Sequence, residues 1–67
     1  SRGLGDVYKR QHLSRAEYFF LTGSYETSIK HLRMALDLTG NNFQLTEAIH
    51  NKIERSHKSI EALKSFS

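Results

Sequence analysis

The chain contains no cysteine, no proline and no tryptophan. Without cysteine there is no disulfide framework, no thiolate nucleophile and no Cys-type zinc site, and the composition is compatible with both cytoplasm and periplasm. No apolar run is long enough to cross a bilayer and no signal-peptide pattern opens the sequence, so membrane insertion is not expected. Catalytic signatures are missing as well. There is no G-x-S-x-G elbow and no HExxH, and Gly3 and Gly5 precede no strand–helix unit that could cradle a phosphate. Glycine itself is sparse, with four residues, which leaves Gly23 and Gly40 as the two breaks in the interior.

What is present is a strong helical pattern. In residues 23–38, GSYETSIKHLRMALDL, apolar side chains fall at Tyr25, Ile29, Leu32, Ala35, Leu36 and Leu38, with Glu26, Lys30, Arg33 and Asp37 between them. This is the i, i+3/i+4, i+7 stripe of a helix with one buried face. Gly23 permits a turn before it, and Ser24 is placed to cap it, although Thr27 stands where a full capping box has Glu.

An earlier helix runs from within the first eleven residues to Thr22, with Leu13, Ala16, Phe19, Phe20 and Leu21 as its apolar residues. Adjacent Phe19 and Phe20 point about 100° apart, so Phe19 is expected against the second helix and Phe20 toward a neighbouring repeat or a groove. Thr39-Gly40-Asn41-Asn42 forms the next turn, Gly40 taking the left-handed position and the Asn side chains bonding local backbone. A third helix follows from Phe43 or Leu45 to Lys64, at roughly 20 residues and about 30 Å. Its apolar stripe is narrow, its centre from Asn51 to Ser59 is polar, and Ser65, Phe66 and Ser67 are expected to fray. The fold class is therefore all-α, with three helices.

Residues 1–11, SRGLGDVYKRQ, stand apart. Back-translated, they match at every position an in-frame reading of a transposase-based sequencing adapter, and are expected to be a non-native leader. The leader carries Arg2, Lys9 and Arg10 against Asp6. The remaining 56 residues have seven basic and six acidic side chains, a net charge of +1 instead of +3 for the whole chain. The signs alternate along helical faces, as on a solvated surface. Lys52, Arg55, Lys58 and Lys64 alternate with Glu54 and Glu61, so few phosphates could be neutralised and nucleic acid is not an expected partner.

The hairpin resembles a tetratricopeptide repeat, a unit of about 34 residues. Gly23, Tyr25, Leu32 and Ala35 stand at the spacing of its second helix, and Ala16 and Phe19 where its first helix places a small residue and an aromatic. These six are the expected repeat-packing residues. Ser28 stands where Ala is usual and Gly40 where Pro often is. By this resemblance residues 12–40 form the hairpin and residues 41–67 a long capping helix, which repeat arrays need at their ends. It also implies a protein or peptide partner, or the parent's own upstream domain. The inner face of the first helix, with Leu13, Glu17, Phe20 and Leu21, would present the partner-facing surface.

A narrower resemblance covers nearly all of residues 12–67. The combination AEYFFLTGSYETSIKHLRMALDL, a short Gly/Asn turn and FQLTEAIHNKIERSHKSIEALK is similar to the C-terminus of periplasmic HExxH zinc metallopeptidases of the β-barrel assembly-enhancing type. Ala48, Ile49 and Ile53 carry its last-helix pattern. The resemblance implies a periplasmic parent that holds zinc in an upstream catalytic domain and acts in outer-membrane protein assembly. This chain would contribute no catalytic residue, no metal ligand and no cofactor site of its own. The alternative is a fragment of a non-enzymatic repeat scaffold or adaptor.

The histidines were the remaining candidates for chemistry. His50, Glu54 and His57 share a helix, but i and i+7 lie about 10 Å apart along its axis, too far for one zinc ion with bonds near 2 Å. A weak His50–Glu54 pair is the expectation there. His12 and His31 have no partner at ligand spacing, and His31 is expected to be exposed.

Overall fold

A computed structural model describes residues 2–66 and is all-helical: α1 (Arg2–Leu21), α2 (Tyr25–Asp37) and α3 (Phe43–Phe66). α2 is the shortest at 13 residues, against 20 and 24 for its neighbours, and it packs against both of them. Because α1 and α3 each run antiparallel to α2 and overhang it, the molecule is elongated, 47 × 20 × 13 Å across its Cα atoms.

The first turn is closed by backbone alone. Gly23 has φ +86°, its N–H donates to the Phe20 carbonyl at 3.2 Å, and the Ser24 N–H donates to the Phe19 carbonyl at 2.8 Å. These are the two bonds of a Schellman ending, which needs a left-handed residue and so favours glycine. Ser24 does take the N-cap position of α2, but its hydroxyl makes no capping bond, contrary to expectation. Its backbone at φ −89° and ψ 68° lies outside the β region from which a cap side chain reaches the first-turn N–H groups.

At the second turn Gly40 has φ +68°, and Asn42 supplies the cap. Its Oδ1 accepts from the Leu45 N–H at 3.0 Å, and its carbonyl accepts the Thr46 N–H at 3.0 Å and the Thr46 hydroxyl at 2.9 Å. Thr39, buried in the turn, donates its hydroxyl to the Ala35 carbonyl at 2.8 Å.

Both outer helices are longer than their patterns indicate. α1 continues without a break through residues 2–11; VYKRQ, residues 7–11, has tolerable helix propensity, and the helix runs on through Gly3 and Gly5 although glycine disfavours it. α3 extends through Ser65 and Phe66, where fraying was expected; the Ser65 hydroxyl donates to the Glu61 carbonyl at 3.2 Å. Ser67, expected to fray with them, and Ser1 lie outside the described residues.

The core is small: Ala16, Leu32, Ala35 and Ile49, with Leu13, Leu36, Leu45 and Ile53 packed against it. Two alanines at the α1–α2 contact remove side-chain bulk and let the helices approach closely. Ser28 is buried with them, and its hydroxyl donates to the Ala16 carbonyl on α1 at 2.7 Å, which satisfies it inside the contact. Ser56, placed by its type in a solvated stretch, is fully buried and donates to the Lys52 carbonyl at 3.0 Å. A hydroxyl can occupy such a position because bonding back to the preceding turn satisfies it internally.

Candidate functional site

α1 and α3 stand on either side of α2 and enclose a groove whose floor is Leu32. One part of it is lined by Leu13 and Glu17 of α1 and by Leu45, Ala48 and Lys52 of α3. An adjoining cavity of about 130 Å³ is lined by Glu17, Phe20, Ser28, Lys52, Arg55 and Ser56. Glu17 and Lys52 meet between the two, Nζ to Oε1 at 2.5 Å, with both side chains about half exposed. The Lys52 hydrogen bond, then its charge and more weakly that of Arg55, hold the Glu17 carboxyl below the usual carboxylate value. Glu17 is thus a stable anion, suited to pairing with cations and unsuited to donating a proton.

The expected partner-facing residues divide. Leu13 packs against the core and lines the groove, and Glu17 bridges it. Phe20 is half-buried, meets Tyr25 edge-on at 5.4 Å and lines the cavity. Leu21 stands away from all three, 73% exposed. Of the expected packing residues, Ala16, Leu32 and Ala35 are buried, Tyr25 is half-buried against Phe20, Gly23 makes the turn, and Phe19 reaches α2 by stacking on His31.

That stacking overturns the reading of His31 as exposed, since its ring is half-buried, and the fold also brings His12 against it. Phe19 and His31 rings are 5.5 Å apart and 6° from parallel, and the His12 and His31 Nδ1 atoms approach to 3.1 Å. The signal lay in helical spacing: His12 is four residues before Ala16, and His31 four before Ala35, so each sits one turn along the packing face from a core alanine.

No family model, curated protein or solved structure matches the chain. Its capabilities therefore rest on the groove and its charges.

On α3 the expected His50–Glu54 pair does not form. Glu54 turns instead to Lys58 in the next turn, at 3.5 Å, the Glu-before-Lys i, i+4 arrangement that a helix favours. Among the described residues no three His, Asp or Glu side chains assemble at metal-holding distance, and no helix is long and apolar enough to cross a membrane. Lys52 and Ser56 continue the stripe of Leu45 and Ile49 at steps of three and four. Reading that stripe by residue type alone conceals both.

Proposed function

We propose that this chain is a protein-interaction segment of the helical-repeat kind, whose groove between α1 and α3 receives a peptide or a neighbouring domain. The observation that carries the reading is the placement of Leu13, Glu17 and Phe20 along one groove, over an apolar floor at Leu32 and beside Lys52 and Arg55. Apolar walls supply area to bury, and two cations beside a single carboxylate favour a ligand that brings an acidic group next to an apolar one. The ligand carboxylate competes with Glu17 for Lys52 and engages Arg55 directly.

Within that reading, the Gly23 turn and the small residues at Ala16, Ser28 and Ala35 support a tetratricopeptide-like hairpin, with α3 as the helix that covers it. The resemblance of residues 12–67 extends the proposal to a parent: a periplasmic zinc metallopeptidase of outer-membrane protein quality control, in which this segment positions substrate or closes the repeat domain.

The test is selection of a random displayed peptide library on the full chain, in parallel with a Lys52→Glu/Arg55→Glu variant. Enrichment of peptides that pair an acidic with an apolar residue, lost in the variant, supports the groove. No enrichment, or enrichment that the charge reversal leaves intact, refutes it.

A further inference from the structure

Two imidazoles from different helices meet where α1 crosses α2. His12 Nδ1 and His31 Nδ1 lie 3.1 Å apart in a partly buried contact, with ring centroids separated by 5.3 Å and planes 31° apart. Phe19, stacked on His31, fixes that ring in place. Two ring nitrogens hold such a contact only when one carries a proton and donates while the other is bare and accepts. A neutral pair satisfies this with one ring in its Nδ1–H tautomer, and a singly protonated pair satisfies it as well. A doubly protonated pair cannot, because two N–H groups and two like charges then face each other.

We infer that the His12–His31 contact is a proton-sensitive clasp between α1 and α2, closed while at least one of the two facing nitrogens is bare and released when both are protonated. Its surroundings make the second protonation costly. The charges acting on His31 are those of His12 and Arg15 on α1 and Lys30 on α2, all cationic or becoming so on acidification; α3 contributes none of them. Burial first, and then these charges, lower the His31 pKa below its ordinary 6.5.

The sign of the linkage follows. A histidine whose pKa is depressed by folding binds fewer protons in the folded state, so its stabilisation is complete above the unfolded value near 6.5 and is lost as pH falls through the folded value. Glu17, also depressed, acts in a separate and more acidic window below its ordinary 4.5. The clasp lies midway along α2, one turn from Ala16 on α1 and one turn from Ala35 on α2, so its release loosens the α1–α2 contact away from the Gly23 turn. This inference does not depend on what the groove binds.

The test follows the imidazole proton resonances and the urea midpoint of the full chain from about pH 8 to about pH 5. One of the two coupled rings is expected to titrate below the ordinary histidine value, and the midpoint to fall across the same range. In His31→Gln the side-chain amide can still hydrogen-bond His12 but cannot gain a proton, so most of that fall should disappear. Independent titration of both rings at the ordinary value, or parallel falls in wild type and His31→Gln, overturns the inference.

Discussion

Replacing Leu32 by alanine probes the core at its centre. Leu32 is 1% exposed, belongs to the cluster with Ala16, Ala35 and Ile49, and forms the floor on which α1 and α3 both rest. Removing three carbon groups forfeits ~2.4 kcal/mol of transfer free energy at ~0.8 kcal/mol each, and the residual cavity adds to this. Two of the four cluster members are alanines that cannot swing into the space, whereas Leu13, Leu45 and Phe20 at the groove edges can shift partway. The expected cost is therefore about 3 kcal/mol, within the ~2–5 kcal/mol range for buried leucine truncation. A chain of this length has a total stability of roughly 3–10 kcal/mol, so one substitution consumes a third or more of it. Urea denaturation followed by far-UV circular dichroism reads the change as a fall in midpoint at constant slope. Leu21→Ala, at a residue 73% exposed, is the control and should stay within about 0.5 kcal/mol of wild type. A Leu32→Ala cost below about 1 kcal/mol, or equal to that of Leu21→Ala, would refute the packing described here.

The two helix starts should respond differently to the same change. Asn42→Ala removes the Oδ1 bond to the Leu45 N–H and should cost about 1 kcal/mol, whereas Ser24→Ala, at a hydroxyl with no capping bond, should cost only a few tenths; thermal melts of the two variants compare them directly. Gly23→Ala places a Cβ on a residue at φ +86° with no atom within 4 Å of it. Its cost, about 1–2 kcal/mol by the same melts, is therefore backbone strain alone, and a further change to valine should cost more, because a β-branched side chain tolerates positive φ least.

The three helices and both glycine turns are legible in the sequence because they rest on local chemistry: a 3.6-residue apolar period, and left-handed conformations that favour glycine. Ala16, Leu32 and Ala35 are readable as packing residues for the same reason. What escapes is set by relations between helices. Ser56 looks solvated by type, yet it lies on a buried stripe and, like Ser28 on α2, satisfies its hydroxyl on a nearby carbonyl. His31 looks exposed because Lys30 and Arg33 flank it, but its angular position, three residues after Ser28 and four before Ala35, turns it toward α1 and His12. Lys52 is hidden in a polar run and emerges as the partner of Glu17 only once α3 folds back along α2. Ser24 fails as a side-chain cap because the Schellman bonds at Gly23 fix its backbone in the wrong region. In each case the pattern gives an element and its apolar face, while the neighbouring helix decides what the polar residues on that face do.

The reading as part of a helical-repeat array is tested most directly by sequencing the source DNA through the His12 codon and upstream. Native codons should replace those of residues 1–11 and continue into further helix pairs with Gly-x-Tyr turns, and an HExxH helix beyond them would establish the peptidase parent in place of a scaffold. If residues 1–11 are instead encoded contiguously with native sequence in which no such helix pair precedes them, the array reading is contradicted and the hairpin must be explained as a unit of its own.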